Sequence, residues 1–200
     1  RQRLTFDEAF MLQLLLLTRR RELKNLDAVA RPAVTGGLLD AFDATLPFQL
    51  TAGQRSVAEE IAEDVAQPHP MHRLLQGEVG SGKTVVALRA MLSVIDNGGQ
   101  AALLAPTEVL AAQHLRTMQK LLGPLAQGGM LGGSDLATQV TLITGSQNAA
   151  SRKEALALAA SGAAGIVIGT HALLGESVAF KDLGLIVVDE QHRFGVEQRD

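Results

Sequence analysis

Apolar and polar positions follow two rhythms along the chain, and the change of rhythm divides it. From Thr5 to Arg31 the pattern predicts a helix. Thr5 and Glu8 have the spacing of a capping box, and the apolar run "FMLQLLLL" (Phe10–Leu17) follows. "RRREL" (Arg19–Leu23) then places positive charge where a helix C-terminus favours it. Arg31–Leu50 holds Pro32, Gly36, Gly37 and Pro47, and reads as a connector with one short helix at Gly37–Asp43. Beyond Leu50, helical periods alternate with short runs of Val, Ile and Leu. The expected helices are Thr51–Ala66, Lys83–Ile95, Glu108–Leu122 and Arg152–Ala160, the last with a capping box at Ser151 and Glu154. The expected strands are His72–Gln76, Ala101–Pro106, Val140–Thr144, Gly165–Thr170 and Leu183–Glu190, with a Gly-rich surface loop at Gly123–Ser134. Continuous apolar strands separated by helices predict an α/β fold with a mainly parallel sheet covered on both faces.

The turn between the first predicted strand and its helix carries the clearest chemistry. "QGEVGSGKT" (Gln76–Thr84) places Gly77, four residues (Glu78, Val79, Gly80, Ser81), then Gly82-Lys83-Thr84, which fits G-x-x-x-x-G-K-[ST]. Glycines let backbone N–H groups close around a phosphate without side-chain obstruction, and the following helix offers its positive end to the anion. Lys83 is then the cation for the β- and γ-phosphates, and the Thr84 hydroxyl is a ligand for Mg²⁺. A plain Gly-rich strand-to-helix turn is the competing account.

"LIVVDEQH" (Leu185–His192) ends the last predicted strand on two acids. Ligands of parallel sheets bind beyond the carboxyl ends of the strands. Asp189 suits Mg²⁺, which uses few carboxylates plus phosphate oxygens. Glu190 suits the orientation and deprotonation of an attacking water. His192 is either a sensor of the γ-phosphate or a satisfied polar residue.

Composition narrows the function classes. Apolar residues make up 46% of the 200, enough for a core, and the longest apolar run falls well short of the roughly 20 residues that span a membrane. No signal peptide is visible and there is no cysteine, so a cytoplasmic protein without disulfides or Cys-ligated zinc is expected. The net charge is −3 and the aromatics are six Phe, so any nucleic-acid contact must be local, not a broad basic or stacking surface.

"LLQGEVGSGKTVVALRA", "LLAPTEVLAAQH", "LITGS", "IVIGTHALL" and "LIVVDEQHRFGVEQR" occur in that order. Together they resemble the first RecA-like motor domain of the superfamily 2 helicases, and most closely the RecG type. The resemblance covers about Pro47–Asp200. It implies a RecA-like P-loop domain at 47–200, preceded by a helical segment and connector at 1–46. The implied activity is that of an ATP-dependent DNA helicase acting on stalled forks and recombination intermediates in DNA repair, with ATP and Mg²⁺ as cofactors and branched or forked DNA as partner. A second RecA-like domain bearing an arginine finger, and a wedge domain, would lie outside these residues, so the 200 residues alone are expected to bind ATP and hydrolyse it poorly.

The resemblance also assigns individual residues. "LPFQLTAGQ" (Leu46–Gln54) resembles the glutamine motif, which makes Gln54 the adenine contact. Thr51 and Gln54 equally fit a capping box. Phe48 is either near the base or in the core. Thr107, Thr170 and His171 would face the DNA backbone, and Arg193 and Phe194 would couple nucleotide state to DNA, with a core role as the alternative for Phe194. Two other readings are another DNA translocase of the superfamily, such as the transcription-repair coupling type, and a P-loop ATPase or kinase with no nucleic-acid role.

Overall fold

A computed structural model of the chain describes residues 10–18, 21–22, 25–128 and 136–190. Residues 10–18 are helical, with their apolar side chains about half exposed. The expected helix to Arg31 stops earlier: a turn at Asn25 is followed by extended backbone. The reason is twofold. Pro32 disfavours helix at the residue before it, and this segment is already paired, Ala28 N–H with Pro68 O and Arg31 N–H with Val65 O. The proposed cap at Thr5 and Glu8 lies outside the described residues.

From there the elements are α1 (Leu38–Thr45), α2 (Ala52–Val65), α3 (Lys83–Asp96), β1 (Gln100–Leu104), α4 (Glu108–Leu122), β2 (Gln139–Ile143), α5 (Ala149–Ser161), β3 (Ala164–Gly169) and β4 (Leu183–Val188). Short 3-10 turns occupy Gly123–Ala126 and His171–Leu174. The strands form one parallel sheet in the order β2-β3-β1-β4. The α/β expectation with a mainly parallel sheet therefore holds.

The two faces of the sheet are covered differently. Leu103, Ile166 and Ile168 face α1, α3 and α4, where Phe42, Leu88, Met91 and Met118 are fully buried. Ala102, Leu104 and Val167 face α5, whose Ala155 and Ala159 allow close approach. Helix α2 lies outside α3, with Ile61 against Val86 and Ala90.

At β4 the cover is incomplete. Leu185 and Val187 pack on the α3 side, but Ile186 (52% exposed) and Val188 (42%) do not. The expected strand at His72–Gln76 also does not form a ladder. Arg73 pairs instead with Glu60 and Asp64 of α2, at 2.6 and 2.5 Å, and Leu75 packs beside Ile61 while Leu74 points to solvent. Two apolar residues among three polar ones are too few to hold this segment in a buried sheet. The cap of α5 is also corrected: Asn148, not Ser151, accepts the first-turn N–H, that of Ser151 itself.

The amino edge of the sheet is fastened by polar groups. Gln100 is 1% exposed, and all four of its hydrogen-bonding positions are used. Its Nε2 donates to Ala159 O and Ala164 O, and its Oε1 accepts from Lys181 N and Asp182 N. Beside it Arg31, 3% exposed, donates to Asp182 at 2.7 Å and lies over Gly99 and Gly184. A Cβ at Gly184 would stand 2.5 Å from the Arg31 guanidinium, so the absence of a side chain there is what admits it.

Replacing Gln100 with Leu keeps the volume but removes the side-chain partner of the Lys181 and Asp182 amides and of the Ala159 and Ala164 carbonyls, of which Ala159 O keeps Gly162 N–H. The expected loss of stability is on the order of 3 kcal/mol or more. Chemical denaturation of the parent and Gln100→Leu proteins measures it, and a loss under about 1 kcal/mol would show that these groups find other partners.

Candidate functional site

The direction of the strands places the candidate residues. Helix α3 ends at Asp96 and β1 begins four residues later, so the last turn of α3 lies at the amino edge of the sheet. Fourteen residues of helix span about 21 Å, comparable to a five- or six-residue strand. The start of α3 therefore lies at the carboxyl edge. The register aligns Leu104 with Gly169 and with Val188, and Ile143 with Gly169. The Gly-rich turn, the loops after β1, β2 and β3, and the acids after β4 all emerge on that one edge.

The turn itself has the form of an anion cradle. Gly80 and Gly82 adopt φ of 83° and 80°, left-handed values that other residues avoid. A Cβ on Gly77 would stand 2.6 Å from Ser81 Oγ. Gly82 begins α3, with no side-chain cap and no acid in the first turn, so the helix start presents its amides to an incoming anion. Lys83 folds back into the loop, its Nζ donating to Gly77 O at 2.7 Å and Glu78 O at 2.9 Å. Val79 is fully exposed at the tip. Backbone donors, one cation and a hydroxyl at Thr84 match a phosphate chain with Mg²⁺.

Gln54 joins this turn to α2. Its N–H donates to Thr51 Oγ1 and its Oε1 accepts from Thr51 N–H, so the capping box is formed. Its Nε2 donates to Ser81 O at 2.8 Å and lies against Gly82, where a Cβ would collide with it. Phe48 is 46% exposed, outside the core, and lines a groove of about 520 Å³ with Gln49, Leu50, Arg55, Glu59 and Arg89.

The two acids follow β4. Asp189 N–H donates to Leu104 O and extends the ladder by one residue. Its Oδ2 lies 2.7 Å from His114 Nε2 on α4. Glu190 takes φ 51°, a left-handed value uncommon outside glycine, so the chain turns sharply where the strand ends. His192, Arg193 and Phe194 lie outside the described residues. Among the described residues no cluster of three or more His, Cys, Asp or Glu forms a cation cage. A single acid plus a hydroxyl suits Mg²⁺ held mainly by phosphate oxygens.

The remaining loops are tied to one another. Thr107 caps α4 by accepting from Leu110 N–H. Glu108, next in sequence, accepts from the backbone N–H of Ser146 at 3.0 Å and from its hydroxyl. Those bonds, aided by Gly145 N–H and the neighbouring His171, hold the Glu108 carboxyl below its usual pKa. Thr170 is buried and caps the 3-10 turn, whereas His171 is exposed. Neither the Glu108–Ser146 bond nor the His114–Asp189 bond has a sequence signature, because the partners stand 38 and 75 positions apart.

Known proteins share this arrangement. The DEAD/DEAH box helicase family matches residues 51–200. Among curated relatives, the ATP-dependent DNA helicase RecG of Mycobacterium tuberculosis (strain ATCC 25618 / H37Rv) is 57% identical over 200 residues, covering all of this chain and 27% of that protein. The protein of the same name from Synechocystis sp. (strain ATCC 27184 / PCC 6803 / Kazusa) is 49% identical over 199 residues, covering all of this chain and 23% of that protein. A solved structure of RecG bound to a three-way DNA junction superimposes with a TM-score of 0.83 at 38% identity, covering 98% of this chain and 25% of that one. The chain thus spans about a quarter of the length of these relatives. With the family match running from Thr51 through the Gly-rich turn and the acids, the chain belongs to the DEAD/DEAH box helicases.

Proposed function

We propose that this chain is the ATP-binding first motor domain of a DNA helicase that remodels branched or forked DNA, such as stalled forks and recombination intermediates. The observation that carries the reading is the gathering of the Gly-rich turn, the acid pair and three further loops on the carboxyl edge of one parallel sheet. The RecG relatives and the junction-bound neighbour support the choice of DNA over a P-loop ATPase without nucleic acid. They favour it likewise over the transcription-repair coupling type. The proposed motor domain is 47–200, with 1–46 as the segment leading into it. In the whole protein it would face a second RecA-like domain and a wedge domain, in the cytoplasm. Among the described residues no helix is long and apolar enough to cross a membrane.

Bound Mg·ATP supplies the γ-phosphoryl group whose transfer to water drives the motor. The chain's own residues do the rest. Glu78–Gly82 wrap the phosphates with backbone N–H groups, and Lys83 leaves Gly77 O and Glu78 O to hold phosphate oxygens. Thr84 and Asp189 are the metal-side ligands. Glu190 would take the proton of the attacking water as the water oxygen bonds to the γ-phosphorus and the bond to the β–γ bridging oxygen breaks, with ADP as the leaving group. Gln54 meets the adenine edge beside the Phe48 groove while staying against Ser81, so base recognition and the phosphate turn share one side chain. Thr107 and His171 contact DNA phosphates, with Thr170 supporting the turn from beneath. His192, Arg193 and Phe194 carry nucleotide state toward the DNA. Such contacts hold the backbone and read little sequence.

Three variants of the full-length protein test these roles. Lys83→Ala should weaken Mg·ATP binding or slow turnover by a few kcal/mol, about 10²-fold or more. Equilibrium binding and steady-state ATPase measure it, and unchanged values would reject the phosphate cradle. Glu190→Gln keeps the shape but cannot accept a proton, so nucleotide should still bind while hydrolysis falls by about 10²–10⁴-fold. Normal turnover would remove Glu190 as the base. Glu108→Ala unties the loop at Ser146, and stimulation of the ATPase by forked DNA should fall several-fold more than the DNA-free rate. An equal fall in both would place Glu108 outside the DNA face.

A further inference from the structure

Asp189, the proposed metal ligand, is held from two directions. Its backbone is fixed by the sheet: Asp189 N–H donates to Leu104 O at 2.9 Å, one residue beyond the last β1–β4 pair. Its side chain is fixed from another direction. His114, in the second turn of α4, places Nε2 at 2.7 Å from Asp189 Oδ2. The His114 side chain is 17% exposed and that of Asp189 35%. An ionised carboxylate only accepts, so the proton of this bond is on His114 Nε2.

We propose that His114 is a positioning residue for the metal: by engaging Oδ2 it sets the plane of the Asp189 carboxylate and leaves Oδ1 as the oxygen for Mg²⁺. This rests on the metal role proposed for Asp189. The physical case is one of tolerance. Mg²⁺ requires near-ideal octahedral geometry at about 2.0–2.1 Å. A carboxylate beyond a strand end rotates about its last torsion, and a rotation that is harmless in water misplaces a metal ligand. Partners that orient ligating side chains in this way are as much a part of a metal site as the ligands.

The position of His114 adds a consequence. Leu104, which fixes the Asp189 backbone, and His114, which fixes its side chain, lie on either side of the loop that joins β1 to α4. Thr107, the proposed DNA contact, lies between them and caps the same helix. The proposed DNA contact and the side chain that engages the metal acid are therefore carried by one helix.

The test uses the full-length protein and a non-hydrolysable ATP analogue, whose affinity is titrated at increasing Mg²⁺ and again in EDTA. The expected result for His114→Ala is a rise of about 10–100-fold in the Mg²⁺ needed for half the affinity gain, with affinity in EDTA unchanged. His114→Gln, which presents an amide N–H at a similar reach, should recover most of the loss. Asp189→Asn serves as the reference and should abolish the Mg²⁺-dependent gain. If Asp189→Asn abolishes the gain and His114→Ala leaves the parent Mg²⁺ requirement, His114 does not position the acid and the metal reading stands. If Asp189→Asn keeps the full gain, the metal role itself fails and this inference fails with it. Loss of affinity in EDTA for His114→Ala, or a His114→Gln protein no better than His114→Ala, would make His114 a packing residue and overturn the proposal.

Discussion

A parallel strand cannot return by a hairpin, and that constraint organises the molecule. Each strand must be followed by a crossover of a dozen or more residues. Helices are the economical crossover, because their length matches that of a strand while they run the opposite way. In this chain α3 leads into β1, α4 into β2 and α5 into β3. Every strand then ends on the same edge. The loops that carry Lys83, Thr107, Ser146, His171 and Asp189 are brought together by strand direction before any of them contacts another.

The two edges of the sheet have divided the work. At the amino edge Gln100 and Arg31 are buried, and Gln100 is saturated. Gln100 makes four hydrogen bonds to three separate segments, and Arg31 reaches Asp182 across two glycines. Asp96 completes this edge by capping α1 from a distance, accepting from Leu38 N and Leu39 N at 2.6 and 3.0 Å. Such networks are costly to open, because each freed group loses its partner inside the protein. At the carboxyl edge the Gly-rich turn and the Glu108–Ser146 contact are exposed, and their bonds can be exchanged. Lys83 and the Gly-rich turn hold each other through backbone carbonyls, and Glu108 holds Ser146 at the surface. A rigid edge opposite an exchangeable one suits a domain whose ligand comes and goes.

The incomplete edge at β4 follows the same logic. Its exposed Ile186 and Val188 belong to a strand whose sequence is as apolar as that of β3. Strand propensity gave it the same extended form, while burial depends on what stands beside it. Residues 71–77 illustrate the converse. They form no ladder, and it is α2, through Arg73 with Glu60 and Asp64, that holds them on the approach to the Gly-rich turn.

Local chemistry was legible without coordinates. Helices α2, α3 and α4 begin and end within a residue or two of where the apolar period places them, and Thr51 caps α2 as its spacing to Gln54 predicts, since capping acts over three residues. The Gly-rich turn was legible for the same reason: Gly77, Gly82, Lys83 and Thr84 lie within one loop, where Gly80 and Gly82 take the left-handed φ that glycine allows. Tertiary structure alone decided the strand order, the exposure of β4 and the failure of His72–Gln76 to pair. It alone set Asp96 on α1, Gln100 at the centre of the amino edge, and His114 on Asp189. Each of those contacts joins residues tens of positions apart, and a hydrogen bond between distant side chains imposes no periodicity on the chain between them. What a sequence writes locally it shows locally; what depends on which segments become neighbours is determined only when the chain has packed.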